Sequence, residues 1–254
     1  MEKIQNKTFT NDGIYLYNPT EIIGCRFHDI VGLHPDHHGA ELHGPNAGKP
    51  NPMYIFRECV FDNEDIEPDS YDEGVALVNA PTVVFNRCRF THWGKAALVG
   101  NGDHVEEDVN LRVTFNECVF EHNGRRSPFI QYGQATLNDC LIKDWGDPKY
   151  FYLKSHGLRV GKDASCEVNN SVFIQEKFWP GFKNFFTDVF NQYSPILIPG
   201  NFRGAYAENG GRLKINHCYK NSIFVWFSEK NNNPMSKKEA KEKEEYLETV
   251  VPRL

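Results

Sequence analysis

The chain has 254 residues, 40% of them hydrophobic and 24% charged, and 34 acidic against 28 basic side chains leave a formal net charge of −6. That balance gives no basic footprint for nucleic acid, no apolar run reaches transmembrane length, and seven cysteines in so long a chain do not form a stapled scaffold. The length suits one domain with a large core.

The opening stretch, Met1-Glu2-Lys3-Ile4-Gln5-Asn6-Lys7-Thr8-Phe9, lacks the apolar run of a secretory signal, so the chain as it stands is not addressed for export. A signal already removed leaves the same pattern. From residue 22 onward a short β-like phrase recurs with Cys or Ser in one slot: Cys25, Cys59, Cys88, Cys118, Cys140, Ser171 and Cys218. The slots are 34, 29, 30, 22, 31 and 47 residues apart, and in five phrases an Asn stands two residues earlier (Asn86, Asn116, Asn138, Asn169 and Asn216). One apolar strand phrase per unit with variable filler is the mark of a solenoid.

Within each phrase apolar residues alternate before and after the Asn, as in Val113, Phe115, Cys118 and Phe120, so two short strands meet at an Asn-x bend. Asn tolerates the left-handed backbone region that such a bend uses. Stacked in register, the Asn amides form a ladder and the Cys and Phe positions form internal columns. These features predict an all-β, parallel β-helix of about seven strand-bend-strand coils, with loops inserted at one corner. Stacked cysteines on coils about 4.8 Å apart are near bonding range, but an odd total of seven, most of them in one repeated slot, reads as small buried hydrophobes. No CxxC pair suggests structural zinc.

Two segments stand outside the repeat. Phe182, Phe185, Phe186, Val189 and Phe190 fall at helical spacing and predict a short amphipathic insertion at about 178–193, packed on the side or end of the solenoid. Ser236-Lys237-Lys238-Glu239 is a capping box opening a charged C-terminal helix or frayed tail whose charge run reads as solvated. The expected division is a β-helix domain over 1–230 and a helix or tail over 231–254.

Four pieces in the middle of the chain carry chemistry: Asp72-Glu73-Gly74-Val75-Ala76-Leu77, Thr91-His92-Trp93-Gly94-Lys95-Ala96-Ala97-Leu98-Val99-Gly100, Leu111-Arg112-Val113-Thr114-Phe115-Asn116 and Arg125-Arg126-Ser127-Pro128-Phe129-Ile130-Gln131-Tyr132-Gly133. In this order and with these gaps they resemble the pectate lyase/pectin lyase family of polysaccharide lyases, over roughly residues 20 to 218. The resemblance implies a right-handed, single-stranded β-helix and cleavage of an acidic, uronate-containing polysaccharide by β-elimination with calcium. It places Arg126 on the Arg that opens Arg-x-Pro, the family's proposed base, and Lys95 on the substrate-binding Lys. Arg125, Gln131 and Trp93 stand beside them as candidate substrate contacts. Glu73 falls on the first acidic position of the calcium segment with Asp72 next to it. Asp36, His38 or Glu41 aligns loosely with the second calcium segment.

Three positions depart from the family pattern. Gln131 replaces the second Arg, Phe129 the intervening one, and Leu77 stands where a ligating Asp is expected. Calcium takes six to eight oxygens, so these departures favour a calcium-independent variant, a substrate other than plain polygalacturonate, or a lyase fold without activity. An Arg base is itself awkward, because guanidinium holds its proton tightly.

Each residue also has a bland reading: loop arginines at 125 and 126, a surface Lys95, and a solvated acidic loop from Asp62 to Glu73. The cluster His34, Asp36, His37, His38 and His43 is either a transition-metal site or an exposed His-rich turn. The leading functional reading is a uronan lyase. The alternative is a non-catalytic glycan-binding or tail-spike-like structural module, trimeric if virion-type, consistent with the missing signal. A polygalacturonase-like hydrolase ranks third, since it needs facing carboxylates and no Asp-Asp pair sits at a strand end. Lys95 lies seven residues after Cys88 and Arg126 eight after Cys118, nearly the same place on adjacent coils.

Overall fold

Each repeated phrase is built as two strands with a tight bend between them. In the phrase around Cys118, Val113 and Phe115 point inward from strand Arg112–Asn116, Glu117 turns the chain, and Val119–Glu121 leaves in a new direction. The residue after each Asn, not the Asn itself, adopts the left-handed backbone: Arg87, Glu117, Asp139, Asn170 and His217 all have φ between 48° and 56°. The Asn closes the first strand, which frees its amide for the neighbouring coil. The structure, a computed structural model, describes residues 1–30, 38–44, 52–63, 73–79, 81–101, 105–146, 156–176, 203–208, 210–221 and 225–253. The predicted insertion at 178–193 lies outside the described residues.

All pairings are parallel and the chain winds as a β-helix, with three strands per coil where two were expected. The third strands, such as Glu73–Val78 and Lys95–Val99, are nearly continuous apolar runs buried on both sides. They carry neither the Asn nor the Cys of the repeated slot, which is why the spacing of those residues does not reveal them. Eight coils stand among the described residues, because Glu2–Gln5, Thr8–Asn11 and Ile14–Leu16 form an initial coil ahead of the first Cys slot. Strands Phe129–Asn138 and Leu158–Asn169 run through a corner without a break, so the first and third faces join into one 15-stranded sheet, while the second strands form an 8-stranded sheet. Among the described residues one insertion, the short helix Val105–Asp108, stands at the corner after the third strand Lys95–Val99.

The register turns sequence slots into columns. Asn116 Nδ2 donates to Asn86 Oδ1 at 3.0 Å, Asn138 to Asn116 at 3.0 Å, Asn169 to Asn138 at 3.1 Å and Asn216 to Asn169 at 2.9 Å. Inside, Phe27, Phe61, Phe90 and Phe120 stack with ring centroids 4.5 to 4.8 Å apart, matching the coil spacing. Phe56, Phe85 and Phe115 form a second stack at 4.9 Å that meets the first edge-on. The seven cysteines are free and buried. Sγ atoms in the repeated slot reach carbonyl oxygens, as Cys140 does to Phe115 and Asn138 at 3.4 Å, and Ser171 replaces the thiol with a hydroxyl that donates to Asn169 O at 2.9 Å.

The C-terminal segment is a docked helix, Lys237–Val250, opened by the capping box expected from Ser236 and Glu239. Ala240, Leu247, Met235 and Val251 pack on Val119, Leu141, Val172 and Ile174, which project from the outer side of the second-strand sheet. Several of its charges are engaged and not merely solvated: Glu244 with Lys143 at 2.8 Å, Glu248 with Arg89 at 3.2 Å, Lys243 with Asp139, and Tyr246 Oη donating to Glu117 at 2.8 Å.

Truncating the column fillers separates their weights. Phe90→Ala should cost about 3–5 kcal/mol and Leu247→Ala about 2–5 kcal/mol, whereas Asn116→Ala, which strands the amides of Asn86 and Asn138, should cost about 1–3 kcal/mol. Urea denaturation followed by far-ultraviolet circular dichroism measures all three, and an Asn116→Ala cost equal to that of Phe90→Ala would contradict the ranking.

Candidate functional site

The chemistry-bearing residues gather where the third strands begin. His38, Glu73 and Lys95 are register partners at the starts of strands His38–His43, Glu73–Val78 and Lys95–Val99, and Lys95 bridges to Arg125 on the next coil. Glycine follows two of them for a steric reason. A Cβ on Gly39 would sit 2.5 Å from Gly74 O, and one on Gly74 would sit 2.7 Å from Ala96 O, with Trp93 beneath both. The same polar-residue-then-Gly pattern opens other third strands at Asp12-Gly13, His156-Gly157 and Arg203-Gly204. This second repeat is the sequence signal that would have placed His38 and Glu73 on one line.

Glu73 is the centre of the group. Its Oε1 accepts from Lys95 Nζ at 3.0 Å and from Arg126 Nη1, and its Oε2 accepts from His38 Nε2 at 2.9 Å. His38 Nδ1 donates to Glu41 Oε2 at 2.9 Å, and His43 Nε2 lies 2.7 Å from Glu41 Oε1. Tyr17 stacks on His43 with centroids 4.5 Å apart. The order across the face is therefore Arg126 and Lys95, Glu73, His38, Glu41, His43, Tyr17. Arg126 also lies over the Phe129 ring at 5.4 Å, with Arg159 over it at 4.3 Å.

Burial sets the electrostatics. Lys95 and Glu73 are each 4% exposed, while the Arg126 side chain is 19% exposed. Burial opposes ionisation of Glu73, but the His38 hydrogen bond and the charges of Lys95, His38 and Arg126 hold its carboxyl below the usual range. Burial and Arg126 push the Lys95 ammonium down against the pull of Glu73. His38, although burial opposes its charge, is raised to about 9 by its bonds to Glu41 and Glu73. Glu41 is lowered to about 2 against its own desolvation by His38 and His43.

Five sequence-nominated residues, Lys95, Arg126, Glu73, His38 and Glu41, thus lie in one connected network. Arg125 is half-buried and adjacent through its backbone bridge to Lys95. Gln131 sits half-buried at the irregularity between Ile130 and Tyr132. Trp93 does not line the face: it is 0% exposed and packs under Gly39 and Gly74, so its role is core filling and not sugar contact. Its neighbour in sequence, Lys95, misled that assignment, because two residues along a coil corner are not on one side. Asp36, Asp72, His34 and His37 lie outside the described residues. Lys95 is buried and paired, which removes the reading of an ordinary surface lysine.

Calcium does not fit the described residues as they stand. All four carboxylate oxygens of Glu73 and Glu41 already face nitrogen atoms of Lys95, Arg126, His38 and His43. Leu77, at the slot of the expected ligand, is in the inward column with Leu42 and Val99. Six to eight oxygens are needed, and among the described residues no group of three or more His, Cys, Asp or Glu is arranged to hold a metal.

The network makes stability depend on pH with a definite sign. His38 is raised from 6.5 to about 9 in the fold, so its contribution is complete below pH 6.5 and is lost as pH rises through about 9. Glu41 is lowered from 4.5 to about 2, so its contribution is complete above pH 4.5 and is lost as pH falls toward 2. The gap in thermal midpoint between the protein and its His38→Ala variant should be widest between pH 4.5 and 6.5 and should close above pH 9. A gap independent of pH would refute the paired-imidazolium assignment.

Comparison with known proteins agrees with this architecture. The profile of the family described as "Right handed beta helix region" matches residues 2–173. Pectate lyase D of Dickeya chrysanthemi is 26% identical over 139 residues, which cover 54% of this chain and 35% of that protein. Pectate lyase E of Dickeya dadantii (strain 3937) is 28% identical over 90 residues, covering 34% and 22% respectively. The matched region therefore spans about a third or less of these relatives. Among solved structures, a pectate lyase variant from Xanthomonas campestris superposes with a TM-score of 0.57 at 13% identity, over 91% of this chain and 67% of that one. By its winding, its columns and this profile match, the chain belongs to the right-handed β-helix family.

Proposed function

We propose that the protein binds a uronate-containing polysaccharide across the third-strand face and cleaves it by β-elimination, using its own cations and no calcium. The observation that carries this reading is the meeting of Lys95 and Arg126, from adjacent coils, on one oxygen of Glu73. A pair of cations converging on a protein carboxylate is the arrangement that a substrate carboxylate can enter by exchange. Arg126, the more exposed of the two, takes the uronate carboxylate and stabilises the enolate-like charge that develops. The proton on the carbon next to that carboxylate passes to a base, its electron pair forms the new double bond, and the glycosidic oxygen leaves and takes up a proton. Lys95 is the better base of the two in its free-amine form, which burial favours and which it takes before accepting the proton, leaving Arg126 as the standing cation; a guanidinium holds its proton too tightly for that role.

A second reading has its own observation. Lys95 is almost enclosed and held by Glu73, which suits a glycan-binding module without turnover.

A panel of uronans separates the two. Under the lyase reading, ultraviolet absorbance from the conjugated product rises with at least one uronan, persists in excess chelator, and disappears in Lys95→Arg, which keeps the charge but not the base. Arg126→Lys should retain reduced turnover with a raised KM. Calorimetric binding of a uronan with no absorbance rise would leave the non-catalytic module, and neither binding nor absorbance would end both readings.

A further inference from the structure

The calcium misfit at Glu41 and Glu73 has a positive counterpart. We infer that the His38 side chain occupies the place of a divalent cation between these two carboxylates, so that the site carries a built-in organic cation and is closed to calcium.

The geometry is that of a bridging ion. Glu41 and Glu73 belong to different coils, and nothing in the strand register brings their carboxylates together except the ring between them: Nδ1 reaches Glu41 Oε2 and Nε2 reaches Glu73 Oε2, both at 2.9 Å. An imidazole that donates from both nitrogens is an imidazolium, so the bridge carries one positive charge. The remaining oxygen of each carboxylate is turned to other nitrogens, Lys95 and Arg126 on one side and His43 on the other. A metal entering here would have to displace a charged ring and lie close to Lys95 and Arg126, where the described residues offer few free oxygens. Ring and metal exclude one another, because they would use the same Oε2 atoms.

Exclusion also predicts how to open the site. His38→Asp removes the bridge and adds a third carboxylate at the start of strand His38–His43, between two that are already present. His38→Lys removes the ring but keeps a cation.

The test is ion binding, read by the calcium dependence of the thermal midpoint and by terbium emission sensitised by nearby tyrosines such as Tyr17. The parent protein and His38→Lys should show no calcium shift and no sensitised emission, whereas His38→Asp should gain both, and Glu73→Gln in that background should remove them. A calcium-dependent midpoint in the parent protein that Glu73→Gln abolishes would overturn the inference. So would a folded His38→Asp variant, judged by circular dichroism, that stays silent to both ions. If that variant does not fold, the parent protein and His38→Lys still decide, since an ion response in either contradicts exclusion. The readout is independent of turnover, so a failed lyase assay leaves this result standing, and the reverse also holds.

Discussion

Parallel coils held in register, one strand spacing apart, are the constraint from which the other features follow. At about 4.8 Å per coil, every residue has a near-copy of its own position directly above and below. Flat rings then stack face to face, as Phe27, Phe61, Phe90 and Phe120 do, and amides chain from Asn86 to Asn216. The same rule governs charge. Like charges in one column would repel at close range, and the column that begins the third strands instead places His38, Glu73 and Lys95 so that each charge meets its opposite.

What could be read from the sequence followed the rule that a column is visible only when its residues are distinctive. Asn and Cys in a fixed slot are distinctive, so the ladder, the thiol column and the β-helix were legible. Ala, Val and Leu in the third strands are not, and a whole face of the solenoid went unseen. The left-handed bend was located to within one residue, since Arg87, Glu117 and His217 give no local hint that they, and not the Asn before them, carry the positive φ. Helix Lys237–Val250 was foreseen from its capping box, yet its docking was not. Its apolar contacts are few and spaced among charges that look solvated until Lys143, Arg89 and Asp139 are found opposite.

The site divides in the same way. Lys95, Arg126 and Glu73 were nominated one by one, and the arithmetic of slots put the two cations on neighbouring coils. Their shared attachment to one carboxylate oxygen depends on side-chain reach, which spacing does not encode. His38 was only one of three loose candidates in a His-rich turn with no periodic face, and Trp93 was assigned by proximity in sequence to a surface from which the corner of the coil turns it away. The central role of His38 emerges only when Glu41 and Glu73, 32 residues apart in sequence, are seen on successive coils.

A solenoid contacts only its neighbours, so its parts can in principle melt one after another from either end. Helix Lys237–Val250 changes that on one side of the molecule. It touches Arg89, Glu117, Lys143 and Ile174, which belong to four consecutive coils, and so acts as a splint laid across them. That ties those coils to one another directly, while the coils before residue 80 have no such brace among the described residues. The boundary runs through the candidate site: Lys95 and Arg126 stand on splinted coils, Glu73, His38 and Glu41 on unsplinted ones. The ionic network is thus also the seam between splinted coils and unsplinted ones.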